Sequence, residues 1–216
     1  MILTSCCQTI YGAHRLKLIG IKRPEKHINL IVTMWKKFKY FWPFLFVAPK
    51  KKFVDFIPEK FIINHSILNI RQAQIEDISA ILLLEQSLYQ GEEPWSGAIF
   101  QTELGKKNAL YLLVLQSQLV VGLIGVRIDN RKAHITNLMV DSVWQKRGIG
   151  TYLIRKVIKA AQEQNCEEVS LEVREDNLNA QKLYQKLGFV TTFVWPNYYQ
   201  DSKQNAFNMV LKLASD

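Results

Sequence analysis

Cysteine is scarce and poorly placed for cross-linking. The three in 216 residues are Cys6, Cys7 and Cys166, two adjacent and one far away, which excludes a disulfide framework. Cys166 has no base suggested within reach and reads as a loop thiol rather than a nucleophile. No C-x-x-C pair and no cluster among the four histidines has metal-ligand spacing, so no metal is expected. Long apolar runs are also missing. The most distinctive, Tyr40 to Ala48, is nine residues long and contains Pro43, whereas a bilayer span needs about 20. It lies too deep in the chain for a signal peptide and has no small-residue cleavage site at a sensible distance. Internal repeats and low-complexity tracts are absent.

What is present is a composition of 48% hydrophobic and 22% charged residues, that of a soluble globular protein. The net charge of +9 is unevenly spread. Residues 1–65 hold 12 Lys/Arg against 3 Asp/Glu, and residues 66–216 hold 16 of each. The chain therefore divides into a basic N-terminal extension, 1–65, and a neutral domain, 66–216. The extension shows no periodic core pattern. Its aromatic run Met34 to Ala48, flanked by lysines up to Lys52, leaves three readings open: an arm packed on the domain, a ribosome or RNA contact, and a membrane-surface contact. No specific DNA recognition is expected. Translation starting at Met34 rather than Met1 would make residues 1–33 a start-site artefact.

Within the domain, Leu68-Asn69-Ile70-Arg71 reads as a first strand. Ile75, Ile78, Ile81, Leu82, Leu84 and Leu88 then mark a helix, with Glu76 and Asp77 in its first turn as the dipole favours. A loop follows, carrying Glu92 and Glu93, which could attract a basic peptide. It ends at Ser96, suited to capping the next helix. Tyr111 to Leu115, Leu119 to Ile128 and Lys132 to Val140 fit an antiparallel meander with turns near Ser117 and Asp129-Asn130. His134, on the third of these, reads as a cross-strand polar side chain.

The informative stretch runs from Ala133 to Val190. Gln145-Lys146-Arg147-Gly148-Ile149-Gly150 joins an apolar strand to an amphipathic helix marked by Ile149, Leu153, Ile154, Val157, Ile158 and Ala161. A glycine turn feeding a helix lets backbone N–H groups converge on an anion, with the helix dipole adding roughly 0.3–1 kcal/mol. Lys146 and Arg147 add charge. Val169 to Val173 reads as a strand, Asn177 opens a helix through Tyr184 and Leu187, and Phe189 starts another strand. Glu172 is the odd residue in its strand. A carboxylate there is neutralised, paired with an arginine such as Arg174, or functional.

These residues carry a resemblance. Asn137-Leu138-Met139-Val140, Gln145 to Gly150, Leu171-Glu172-Val173-Arg174, Asn177, Leu183-Tyr184, Leu187-Gly188-Phe189 and Asn197-Tyr198-Tyr199 are similar, in this spacing, to the acetyl-CoA-binding core of the GCN5-related N-acetyltransferases, RimI type. The resemblance covers roughly residues 67–212. It implies an α/β fold, a mixed and mostly antiparallel central sheet flanked by helices (the acyl-CoA N-acyltransferase fold), in a cytoplasmic enzyme using acetyl-CoA. By the same resemblance, backbone amides of Lys146, Arg147, Gly148, Ile149, Gly150 and Thr151 grip the diphosphate. Leu138, Met139 and Val140 pair with the pantetheine, Asn177 orients pantetheine or substrate, Glu172 is the general base, and Tyr184 protonates the departing thiolate. That assignment requires Glu172 and Tyr184 on one side of the sheet. On its packing pattern alone, Tyr184 is an ordinary core aromatic beside Leu183 and Leu187.

The acceptor implied is a protein N-terminus, the alanine of a small-subunit ribosomal protein. Neutralising an α-amine of pKa 7.7–8.0 at pH 7 costs about 1.2 kcal/mol, against about 4.6 for lysine, which favours the N-terminus. Alternatives are another amine, such as a lysine side chain or a small molecule, and a non-catalytic acetyl-CoA-binding module with the extension as its interaction arm. Two departures from the RimI pattern bear on the acceptor: Trp195-Pro196 stand where relatives carry basic residues, and Asn205-Ala206 where they carry Asp-Ala.

Overall fold

The computed structural model describes residues 56–89, 94–199 and 203–214. The aromatic-basic run Met34 to Ala48, the two candidate start sites, and Glu92 and Glu93 lie outside the described residues.

Among the described residues, eight strands form one sheet: β1 (Glu59–Ile63), β2 (Ser66–Gln72), β3 (Ala109–Gln116), β4 (Leu119–Asp129), β5 (Lys132–Val140), β6 (Glu168–Arg174), β7 (Val190–Tyr199) and β8 (Gln204–Lys212). Among the same residues, four α-helices accompany them: α1 (Ile78–Leu88), α2 (Gly97–Leu104), α3 (Ile149–Glu163) and α4 (Leu178–Lys186). Sheet order is β1-β2-β3-β4-β5-β6-β8-β7, antiparallel throughout except for β5 and β6. This is the mixed, mostly antiparallel α/β architecture expected. The parallel step arises because β5 and β6 are joined by a helix, α3, which returns the chain to the same end of the sheet.

Two apolar layers cover the sheet. Leu153, Ile154, Val157 and Ala161 of α3, all fully buried, pack with Ala133, Ile135, Leu138 and Val140 of β5 and Val169, Leu171 and Val173 of β6. The other layer is built from Ile81, Leu84 and Leu88 of α1 and Ile99 and Phe100 of α2 over Tyr111, Leu113, Leu123 and Met139. Each fully buried aliphatic or aromatic side chain contributes about 1.5–3 kcal/mol.

Three local features differ from the sequence reading. The sheet starts at Glu59, ahead of Leu68: β1 pairs antiparallel with β2 from Glu59↔Ile70 to Ile63↔Ser66, turning at Asn64 and His65. That turn has no glycine, so its signal was weak. β1 is tied to α3, with Glu59 accepting from the Tyr152 hydroxyl at 2.5 Å and pairing with Lys156, and with Phe61 stacked on Tyr152 at 3.9 Å between centroids. Ser96 stands at the N-cap of α2 without a side-chain cap bond, and its carbonyl accepts from Ile99 N–H at 2.9 Å. Asp77 does more than favour a dipole. It takes both Nη atoms of Arg71, at 2.6 and 2.7 Å, and the backbone N–H of Gln74 at 2.7 Å.

Glu103, in the last turn of α2, is 3% exposed. Burial raises its pKa, but hydrogen bonds from Arg127 and then Lys106 outweigh that and hold it below the ordinary carboxylate value. Because the folded pKa is depressed, its contribution to stability is complete above the unfolded value and is lost as pH falls through the folded one. Urea midpoints should therefore drop steeply below the ordinary carboxylate range, and Glu103→Gln, destabilised at pH 7, should show a flatter acid profile.

Candidate active site

The site begins where the sheet comes apart. β5 and β6 pair only at Lys132↔Glu168, Ala133↔Val169 and His134↔Ser170. Immediately afterwards β5 carries a bulge: Val126 of β4 faces Ile135 and Gly125 faces Asn137, so Thr136 is the extra residue. A bulge bends its strand and sharpens the local twist. From there Leu138, Met139 and Val140 remain paired to β4, while Leu171 to Arg174 pair with β8. Among the described residues, no strand pairs with the β6-facing edge of Asn137 to Val140. A ligand carrying amides can add to such an edge as another strand would.

At the end of that edge the chain turns into α3. Asp141 accepts from Val143 N–H at 2.9 Å, closing a 3-10 turn over Ser142–Trp144, and Gln145 Nε2 donates to the Val140 carbonyl at 2.9 Å. Lys146 (φ 59°) and Gly148 (φ 98°) are both left-handed. A Cβ on Gly148 would meet nothing within 4 Å, so glycine is needed there for its twist and not for space. Among the described residues, no side chain caps α3 and no acidic residue lies in its first turn. Helix starts leave N–H groups without intrahelical partners, and here Lys146 and Arg147 stand exposed beside them, the Arg147 guanidinium 4.9 Å over Trp144. Ile149 and Gly150 are buried beneath the loop, and Thr151 is half-buried.

On the other side of the gap stands Glu172, its side chain 12% exposed. The Arg174 guanidinium binds Asp176 at 2.9 and 3.0 Å and lies over Tyr199. Glu172 lies between His134 Nε2, 3.3 Å from Oε2, and Asn208 Nδ2, which donates to Oε1 at 3.1 Å. Thr192 Oγ1 steadies Asn208 from β7 at 2.7 Å. His134 is cross-strand, as expected, and also more than that. Its Nδ1 lies 3.0 Å from Ser170 Oγ, which is itself 3.4 Å from the Ala133 carbonyl. With neutral imidazole carrying Nε2–H, Ser170 donates to Nδ1; with imidazolium, Nδ1–H donates to Ser170, whose proton turns to Ala133. Only β-strand pairing brings His134 and Glu172, 38 positions apart in the sequence, together.

The placement of Tyr184 corrects the requirement drawn from sequence. Leu171 and Val173, which alternate with Glu172 along β6, share a buried cluster with Tyr184, so the phenol approaches from the opposite face to the Glu172 carboxylate. Tyr184 is fully buried, 5.9 Å from Phe189 between ring centroids. The one-side requirement assumed an unbroken sheet. Where strands part, a molecule lying in the gap meets side chains from both faces. Asn177 has a structural duty: its Oδ1 accepts from Ala180 N–H at 3.2 Å as the N-cap of α4.

Residues 75–189 match the model of the acetyltransferase (GNAT) family. A Bacillus subtilis protein provisionally named a ribosomal protein bS18-alanine N-acetyltransferase is 30% identical over 141 residues, 65% of this chain and 92% of that protein. N-alpha-acetyltransferase 30 of Xenopus laevis is 34% identical over 124 residues; these cover 55% of this chain but only 44% of that longer protein. The crystal structure of the ribosomal-protein-S18-alanine N-acetyltransferase from Escherichia coli superposes with a TM-score of 0.63 at 25% identity, covering 69% of this chain and 96% of that one. Since the family match alone takes in more than half of the 216 residues, the chain belongs to the GNAT acetyltransferases and has their acyl-CoA N-acyltransferase fold.

Proposed function

We propose that this chain transfers acetyl from acetyl-CoA to the N-terminal α-amine of a protein, and that its acceptor is the N-terminal alanine of a small-subunit ribosomal protein. The observation that carries this is the gap between β5 and β6, with an uncapped helix start at one end and a clamped carboxylate on its far wall. The donor set suits acetyl-CoA. Amides at Lys146 to Thr151 match a diphosphate, and the strand-like edge at Leu138, Met139 and Val140 matches the two amides of a pantetheine arm. Bound there, acetyl-CoA supplies an acyl group activated as a thioester.

The chain's own residues do the rest. Glu172, acceptor-only when ionised, takes a proton from the incoming ammonium directly or through a water, and the His134 and Asn208 contacts fix where it does so. A main-chain N–H on the free edge of β5 polarises the acyl oxygen. A donor of that kind is worth about 3–4 kcal/mol. Tyr184 gives its proton to the leaving sulfur. In this reading Tyr184→Phe lowers turnover by about tenfold or more and leaves acetyl-CoA affinity within twofold in a titration. A large loss of affinity instead would return Tyr184 to a packing role only.

The names of the Bacillus and Escherichia relatives support ribosomal alanine as acceptor, and the Xenopus relative supports α-amines more broadly. A second reading, another amine acceptor, draws on β7. Trp195, standing where RimI-type chains carry basic residues, lies edge-to-face with Phe193 at 4.5 Å, and both are more than 40% exposed. Thiol release from acetyl-CoA separates the cases. Turnover with an Ala-initiated basic peptide supports the first reading, and turnover only with lysine or small amines supports the second. Binding without turnover, unaffected by Glu172→Gln, supports a non-catalytic module.

A further inference from the structure

On the face covered by α1 and α2 runs a polar chain that the reaction above does not use. It begins at Glu103. Oε1 accepts from Lys106 Nζ at 2.6 Å and from Arg127 Nη2, and Oε2 accepts from Arg127 Nε at 2.8 Å. The hydroxyl of Tyr111 lies 3.4 Å from the same Oε2 and 2.9 Å from Thr136 Oγ1. All three chain members are 3% exposed or less. A carboxylate can only accept. When Tyr111 donates to Glu103, the proton in the second bond must come from Thr136, so the glutamate orders the whole chain.

The route this chain takes is unusual. Tyr111 is on β3 and Thr136 on β5, so the ring must cross β4, and it crosses at Gly125. A Cβ there would lie 2.3 Å from Tyr111 Cε1 and 2.9 Å from Thr136 Oγ1. Glycine at 125 is a notch through which one side chain reaches two strands away. Thr136 is the extra residue of the β5 bulge, one position before the unpaired edge opens.

We infer that Tyr111 is a positioning residue for acyl transfer: its hydroxyl, ordered by Glu103, holds Thr136 in the bulge and so sets the free backbone of Asn137 to Val140 against the acyl donor. This rests on the acetyltransfer reading. The ion-paired carboxylate anchors one end of the chain and the bulge is the movable part at the other, so the loss should appear where geometry is most demanding. Displacements near 1 Å can cost about 100-fold in rate, and loss of a polarising donor costs about 10²–10³-fold.

The test uses the full-length chain with Tyr111→Phe, Thr136→Val, the double variant, and Thr136→Ser as the conservative control. Tyr111→Phe keeps the ring in the notch. Its kcat should fall about tenfold while the acceptor KM and the affinity for CoA itself stay within twofold. Thr136→Val should match it, the double variant should be no worse than either single, as in a shared contact, and Thr136→Ser should restore the rate. An active wild type with Tyr111→Phe equal to it overturns this inference alone. So does a loss in Tyr111→Phe that Thr136→Ser shares, or one accompanied by weaker CoA binding. A wild type that turns over no amine overturns the acetyltransfer reading, and this inference with it.

Discussion

Glu172→Gln should leave acetyl-CoA binding unchanged and lower kcat/KM for the acceptor by about 10²–10⁴-fold, the range for loss of a general base. The substitution is nearly isosteric, and the pocket can absorb it. The new carboxamide would still accept from Asn208 through its oxygen. Its NH₂ would face His134 Nε2, to which it could donate once the imidazole proton moves to Nδ1. Ser170 is placed to accept that proton, with the Ala133 carbonyl 3.4 Å beyond it. The fold should therefore survive while the proton acceptor is gone. Calorimetric titration with acetyl-CoA beside a steady-state assay checks both halves. A rate loss under threefold removes Glu172 from the chemistry, and a matching loss of cofactor affinity makes it a structural carboxylate.

The second large effect falls on stability. Gly125→Val drives a branched side chain into Tyr111, whose ring atoms Cε1 and Cζ lie 2.3 and 2.6 Å from where a Cβ would sit. The ring is wholly buried and its hydroxyl is committed, so it has no cheap rotamer to move to. Overpacking of this kind costs about 1–3 kcal/mol, and a broken buried hydrogen bond adds about 1. Together that is about 2–4 kcal/mol, or a Tm lowered by roughly 5–15 °C for a domain of this size. Thermal unfolding followed by circular dichroism measures it. A shift under 2 °C would mean the notch is not filled as described.

Much of the architecture was legible because the apolar periods are clean. Leu153, Ile154, Val157 and Ala161 mark a helix face, and Val169, Leu171 and Val173 alternate as a half-buried strand should. The turn into α3 was legible because Gly148 stands directly ahead of that helix face, where a left-handed residue leads the chain into its first N–H groups. What escaped was where strand pairing stops and where its register shifts. Nothing local in Lys132 to Val140 announces that its pairing with β6 stops after His134, or that Thr136 is a bulge residue. The His134 and Asn208 contacts of Glu172 were not legible either, since one lies 38 positions before it and the other 36 after it. Gly125 lies inside the apolar run of β4, where nothing local singles it out. Only the ring of Tyr111 crossing it shows why a side chain is excluded.

The parting of β5 from β6 also bears on how the molecule holds together. Among the described residues, three parallel rungs, with Glu167 N–H donating to the Arg131 carbonyl at 2.6 Å just ahead of them, join strands β1–β5 to the β6–β8 ribbon through the main chain. The sheet is thus two panels sharing a short seam beneath α3, with no strand rung beyond it among the described residues. A guest satisfying both panels stiffens the protein as well as occupying it. By mass action such a guest, at 100 times its Kd, adds about 2.7 kcal/mol to the folded state. Amide exchange would locate that gain along β5 and β6, making the cosubstrate a temporary piece of the scaffold.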